Sequence, residues 1–257
     1  MGKEKIIAVM KRYELKYYLN KQQLQNFMDE LKNYMQVDKY GLTTIASLYF
    51  DTPNFRLINR SIEKPKFKEK LRLRSYGLST DNSPTFLEIK RKHEGIVYKR
   101  RISLFEQEAF ELITNKESRT HDQISRELES FMESYEKLEP KYLIIYDRLA
   151  YYMENSDIRI TIDMNPRYRT TDLNLHTSMD GIPLIKEGGA ILEVKVQHSV
   201  PLWLVSLLSK EKIYQTSFSK VGTAHKMEMR QKYIPKAEIS KTLETNFKGE
   251  IKYGFVV

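Results

Sequence analysis

Five segments of this chain place cations on alternate residues: Lys70-Leu71-Arg72-Leu73-Arg74, Glu88-Ile89-Lys90-Arg91-Lys92, Lys99-Arg100-Arg101, Tyr146-Asp147-Arg148 and Glu193-Val194-Lys195. Successive residues of a β-strand point to opposite faces of a sheet. Lys70, Arg72 and Arg74 therefore share one face, and Leu71 and Leu73 share the other. An ordinary sheet turns such a charged face to water. The recurrence on strand after strand favours another arrangement, a closed antiparallel β-barrel with a cation-lined interior and the leucines packed outside under helices. The ligand that suits such an interior is a chain of phosphates, because Arg offers a planar fork of donors and Lys a point charge. A nucleic-acid backbone patch is the competing reading. Strict alternation with apolar residues weighs against it.

The faces so defined carry Lys16, Lys70, Arg72, Arg74, Lys90, Lys92, Lys99, Arg101, Arg148, Arg159, Lys195 and Lys220, against the acids Glu14, Glu88, Asp163 and Glu193. Isolated ions buried dry cost several kcal/mol each, so this excess needs water, a polyanion or both. Carboxylates beside a phosphate ligand can hold Mg²⁺ or Mn²⁺. For Glu14 and Glu88, simple pairing with neighbouring Lys and Arg stands equally open. Ser217-Phe218-Ser219-Lys220 ahead of a helical stretch either presents a hydroxyl, backbone N–H groups and a Lys to a phosphate or is an N-cap. The five His residues show no metal-ligand spacing, and there is no P-loop, GxGxxG, GxSxG or zinc pattern.

The elements that must position these residues follow from periodicity. Strands are expected over 10–19, 43–51, 66–76, 85–93, 96–104, 142–153, 158–164 and 191–197. Asn20 caps a helix through Leu24, Phe27, Met28 and Leu31. The stretch 105–138 is helical with a break near 115–122, Val200–Leu208 forms a short apolar helix, and 217–230 is helical. Asp51-Thr52-Pro53-Asn54 and Glu154-Asn155-Ser156-Asp157 are turns, and His93-Glu94-Gly95 closes a hairpin. The β content is spread along the chain, giving an α+β fold in one domain over 1–235 with a C-terminal tail over 236–257.

Composition bounds the rest. The 257 residues carry a formal charge of +9, which favours an anionic partner. There is no Cys, which removes disulfides and Cys-based zinc or nucleophilic chemistry. The first residues lack the apolar run of a signal peptide and no stretch is long enough to span a bilayer. The expectation is a soluble cytoplasmic protein with no membrane span, its oligomeric state open.

In order along the chain, Arg12-Tyr13-Glu14-Leu15-Lys16-Tyr17, Ser47-Leu48-Tyr49-Phe50-Asp51-Thr52, Lys70-Leu71-Arg72-Leu73-Arg74, Glu88-Ile89-Lys90-Arg91-Lys92, Val97-Tyr98-Lys99-Arg100-Arg101, Tyr146-Asp147-Arg148, Glu193-Val194-Lys195 and Phe218-Ser219-Lys220 together resemble the VTC domain. That domain is the polyphosphate polymerase part of the vacuolar transporter chaperone, within the triphosphate tunnel metalloenzymes. The resemblance implies a barrel open at both ends. It also implies a nucleoside triphosphate such as ATP, or an inorganic polyphosphate or triphosphate, held by Lys16, Arg72, Arg74, Lys90, Lys99, Arg148, Lys195 and Lys220 with help from Tyr146 and Ser219. Glu193 would hold a Mn²⁺ or Mg²⁺ ion. The activity implied is transfer of the γ-phosphoryl of ATP to a growing polyphosphate chain.

On that basis Arg72, Arg74, Lys90 and Arg148 are the expected catalytic set. Lys70 and Arg101 join the phosphate contacts, and Glu88 and Glu14 join Glu193 as candidate metal ligands. Arg12 stands where hydrolytic relatives carry the first Glu of a Glu-x-Glu-x-Lys strand, which fits the VTC branch better than a two-metal hydrolase. A triphosphatase using water as acceptor and a non-catalytic polyphosphate binder remain as alternatives. A nucleic-acid binder comes last, and no nucleic acid is expected.

Overall fold

The computed structural model describes residues 13–63, 65–94, 96–118, 120 and 122–233. Arg12 and the expected tail lie outside them. Eleven strands form one antiparallel sheet: β1 (Tyr13–Leu19), β2 (Gln36–Val37), β3 (Thr43–Asp51), β4 (Phe67–Tyr76), β5 (Thr85–His93), β6 (Ile96–Leu104), β7 (Glu139–Tyr152), β8 (Arg159–Arg169), β9 (Ile182–Pro183), β10 (Ala190–Val196) and β11 (Gln215–Thr216). Six helices accompany it: α1 (Lys21–Leu31), α2 (Arg56–Ile62), α3 (Glu106–Asn115), α4 (Gln123–Glu133), α5 (Leu202–Lys210) and α6 (Lys220–Tyr233). The α+β class expected from the sequence is what the chain adopts.

The ladder runs β11-β1-β10-β8-β7-β3-β4-β5-β6, with β2 beside β7 and β9 beside β8. The sheet curls until β5 faces β1, where Lys90 Nζ lies 3.2 Å from Glu14 Oε2. This side-chain contact crosses the concave face between strands that share no backbone ladder.

Register decides which residues share the inner face. Arg72 stands opposite Tyr49 of β3 and Glu88 of β5, and Glu88 stands opposite Arg101 of β6. Arg148 stands opposite Asp163, and Glu193 lies between Lys16 and Thr161. Because the side-chain period is two, each pairing turns the intervening apolar residues outward. Leu71, Leu73, Leu87, Ile89, Leu143 and Ile145 pack there with Ala109, Leu112, Leu128 and Phe131 of α3 and α4. Ile160, Ile162, Leu192 and Val194 pack with Phe27 and Leu31 of α1 and Leu204 and Leu207 of α5.

The remaining helices break the expected pattern of helices outside. Tyr142, Ile144 and Tyr146, on the inner face of β7, meet Ile58 of α2 and Val221 and Ala224 of α6. Tyr142 Oη and His225 Nδ1 are 3.0 Å apart, and His225 Nε2 is 3.0 Å from Asn59 Oδ1, which ties α6 to α2 and the sheet. So α6 fills part of the sheet's concavity and brings its N-terminus among the cations.

Local chemistry sets the element ends. Asn20 and Gln23 form a capping box on α1. Asp122 Oδ1 accepts the Ser125 N–H at the start of α4. The helix α2 was not foreseen from sequence. Phe55 enters it with φ 59°, and the buried Asp51 carboxylate accepts the N–H groups of Thr52, Leu57 and Ile58 at 2.7–2.8 Å. A bulge opposite Tyr146 uses Asn165 at φ 47°, a left-handed conformation Asn tolerates.

Candidate functional site: a tunnel of paired cations

The charged inner face resolves into three groups, each built around carboxylates. At the first, Glu88 has no exposed surface. Its Oε2 lies 2.8 Å from Arg72 Nε and 2.7 Å from Arg72 Nη2, with Arg74 Nη1 at 3.8 Å. Its Oε1 lies 2.7 Å from Lys99 Nζ and 2.9 Å from Arg101 Nε. The Arg101 contact is off the hydrogen-bond line, so it is an ion pair held by charge. Burial alone would raise the Glu88 carboxyl, but Arg72, Arg74 and Lys99 pull it down to about 2. Arg101 is also seated over the Phe86 ring at 3.9 Å and donates to Tyr76 Oη at 2.8 Å.

The second group is Glu14 and Glu193. Burial would raise the Glu14 carboxyl, but Lys90, Lys16 and Lys195 hold it well below the ordinary carboxylate range. Lys16 Nζ is 3.4 Å from Glu14 and donates to the Phe218 carbonyl at 3.2 Å. Lys195 Nζ is 3.5 Å from Glu193.

The third is Asp163, with no exposed surface. Arg148 approaches it as a fork at 2.6 and 2.9 Å, and Lys220 Nζ contacts the same carboxylate. Lys220 and Arg148 sit over the Tyr146 ring at 4.4 and 5.1 Å, and Arg74 donates to Tyr146 Oη at 3.3 Å. Arg148 also reaches Glu193 at 3.8 Å, which joins the second and third groups.

Lys70 lies between the groups. Its ammonium donates to Ser219 Oγ at 3.1 Å, and no carboxylate within ion-pair distance is found among the described residues. Burial first, then Lys16, Lys90 and Lys68, lower it to about 8, with Tyr49 opposing. Ser219 Oγ also accepts the Gly222 N–H, so it caps α6 and meets Lys70 together. Tyr49 Oη accepts from Arg72 Nη1 at 3.1 Å. Burial would raise this phenol, but Arg72 and Lys70 bring it to about 7.

The sequence-selected residues Lys16, Lys70, Arg72, Arg74, Lys90, Lys99, Arg101, Tyr146, Arg148, Lys195, Ser219 and Lys220 therefore come together on one curled face, with Glu14, Glu88 and Glu193. Lys92 and Arg159 are exposed. Arg159 turns to the carbonyls of Ser156 and Ile158. The sequence assigns Asp163 no role beyond its place among the acids, and Tyr49 none beyond its motif. Asp163 shares strand parity with Arg159 and Thr161, a signal legible in the sequence, whereas Tyr49 lies on a strand without cations and meets Arg72 only through register. A surface hollow lined by Asn26, Asp29, Glu30, Lys210 and Glu211 lies between α1 and α5 and holds none of the tunnel cations.

A divalent ion on this face would need its carboxylates as donors. No cluster of three or more acidic or His side chains with metal-binding geometry occurs among the described residues. The Glu14–Glu193 pair still fits Mg²⁺ or Mn²⁺, which take one or two carboxylates plus substrate phosphates and water. Thr161 Oγ1, buried opposite Glu193, has no hydrogen-bond partner and leaves a polar position beside that pair.

No helix of the described residues is long and apolar enough to cross a membrane. No curated protein matches the chain by sequence. Among solved structures, the chain is similar to an adenylyl cyclase candidate from Hippeastrum described as having a dominant triphosphatase activity. Identity is 16%, the match covers 88% of this chain and 98% of that one, and the TM-score is 0.51. It is also similar to an adenylate cyclase candidate from Bacillus halodurans, at 15% identity over 82% of this chain and 96% of that one, with TM-score 0.50. These likenesses show the tunnel fold. The VTC domain model matches residues 11–228, nearly the whole chain, and the chain belongs to the VTC domain family.

Proposed function

We propose that this protein is a metal-dependent phosphotransferase that moves the γ-phosphoryl of ATP onto a polyphosphate chain held in the tunnel. The observation that carries this is Lys70. It is a half-buried ammonium among further cations and, among the described residues, meets only a hydroxyl, while its neighbours are paired to carboxylates. A phosphate oxygen is the partner that this position lacks.

Phosphoryl transfer depends mainly on positioning and charge neutralisation. Arg72 and Arg74 hold triphosphate oxygens from β4, and Arg148, oriented by Asp163, holds them from β7. The bond between the γ-phosphorus and its bridging oxygen breaks, and its electron pair leaves with ADP. A terminal oxygen of the acceptor chain forms the new P–O bond. That oxygen is already ionised at neutral pH, so no general base is needed. Lys16, Lys90 and Lys220 screen the repulsion between the two anions. A divalent ion on Glu193 and Glu14 supplies Lewis-acid neutralisation of the phosphate oxygens when bound.

A triphosphatase is the second reading, favoured by the activity described for the Hippeastrum neighbour. The two are separated by supplying γ-labelled ATP, Mn²⁺ and a short polyphosphate primer. Label in lengthened chains supports transfer, whereas label only in orthophosphate moves the assignment to hydrolysis.

A further inference from the structure

Glu88 stands at the centre of a cross set by strand register. Arg72 and Arg101 are its direct partners on the two flanking strands, and Arg74 and Lys99 are diagonal neighbours. Direct and diagonal pairs are the positions within side-chain reach on one face of a sheet. The backbone ladder therefore delivers four cations to one carboxylate. Each carboxylate oxygen lies within 2.9 Å of two cationic nitrogens, and the group has no exposed surface. A divalent ion entering there would displace a cation and meet the charges of the others. The Glu14–Glu193 pair carries no such crowd on each oxygen and remains the better place for a metal.

The arrangement also leaves donors free. An Arg side chain has five N–H donors. Nε and Nη2 of Arg72 face Glu88, and Nη1 faces Tyr49 Oη. Nη1 and Nη2 each carry a second hydrogen, so the guanidinium is fixed on one edge and available on the other. Without an internal anion these cations would repel one another and spread.

We propose that Glu88 is a positioning residue, a built-in anion that holds Arg72, Arg74, Lys99 and Arg101 in register for the phosphate chain and takes no part in holding the metal. This rests on the phosphate-tunnel reading above and assigns the tunnel's acids to two distinct tasks. Glu88 organises the cations, and Glu193 with Glu14 serves the ion.

The test compares the full chain with Glu88→Gln and Glu88→Asp. Calorimetry without metal gives the affinities for tripolyphosphate and for sulfate. Turnover gives kcat, KM and the Mn²⁺ concentration for half-maximal rate. In Glu88→Gln the tunnel gains one net positive charge and loses its ordered array. Selectivity for tripolyphosphate over sulfate should fall at least tenfold, and kcat should fall about 10²-fold, the scale of one preorganised donor. KM for ATP should rise little, and half-saturating Mn²⁺ should stay within twofold. Glu88→Asp keeps the charge and should restore most of the selectivity.

A tenfold rise in the Mn²⁺ requirement would make Glu88 a metal ligand and overturn the proposal. Unchanged selectivity and kcat would overturn it too. If Glu88→Gln does not fold, Glu88→Asp decides: selectivity near the parent's at an unchanged Mn²⁺ requirement supports positioning, and a tenfold rise in that requirement refutes it. A parent protein that turns over no phosphate donor would fail the functional reading, while the selectivity ratio would still judge Glu88.

Discussion

Lys90 Nζ of β5 reaches Glu14 Oε2 of β1 at 3.2 Å, joining strands far apart along the hydrogen-bonded path of the sheet. Both side chains are partly open to solvent, so the pair itself contributes at most about 1 kcal/mol. Its consequence is geometric, because it sets Lys90 beside the Glu14–Glu193 pair. Glu14→Gln should therefore raise the Mn²⁺ concentration for half-maximal turnover. A loss of stability with an unchanged metal requirement would show that Glu14 serves its lysine contacts alone.

Arg72 meets Glu88 and Tyr49 and keeps donors for a ligand. Arg72→Ala should lower turnover roughly 10²–10³-fold, the scale of a lost preorganised contact. Arg72→Lys should recover little, because an ammonium cannot bridge a carboxylate, a phenol and a phosphate in one plane. Steady-state kinetics on both variants check this, and an Arg72→Ala protein as fast as the parent would contradict it.

Burial and neighbouring cations lower Lys70 to about 8, and Arg72 and Lys70 bring Tyr49 down to about 7 against its burial. An anion favours the charged ammonium and the neutral phenol. Both are present below pH 7, and both are lost as pH rises through 7 and 8. Tripolyphosphate affinity should therefore weaken between pH 7 and 9 relative to Lys70→Arg, whose guanidinium stays charged. Comparison with that variant at each pH removes the ligand's own titration. Parallel profiles for the two proteins would contradict the assignment.

Glu88 has a folded-state pKa of about 2 against an ordinary value of 4.5. A depressed carboxyl contributes stability that is complete above the unfolded value and is lost as pH falls through the folded one. The shift corresponds to about 3 kcal/mol. Denaturant melts at fixed salt should show that loss between pH 4.5 and 2. A flat profile over that window would mean that the four cations gain nothing from the carboxylate.

Much of this site was legible because a strand has period two. Once Lys70, Arg72 and Arg74 shared a face, the parity of β5, β6, β7 and β10 assigned theirs. What could not be read was which face met which. The Glu88 crowd depends on register between β4, β5 and β6, and the Lys90–Glu14 contact depends on curl, and neither leaves a local signal. The helix α2 escaped for a related reason. Its cap is Asp51, several residues ahead of the helix and read as part of a turn. Asp51→Ala should cost about 2 kcal/mol, the upper end for a lost cap, measurable by thermal or denaturant unfolding. The position of α6 escaped as well, since its low apolar contrast hid that Val221 and Ala224 pack within the barrel.

The most direct measurement is a crystal structure of the full chain with tripolyphosphate and Mn²⁺. The phosphates should lie along the inner face, with oxygens within hydrogen-bond distance of Lys70, Arg72 and Arg148, and the ion on Glu193. Tripolyphosphate bound instead on the outer surface, with the Glu88 and Asp163 clusters untouched, would contradict the phosphate tunnel.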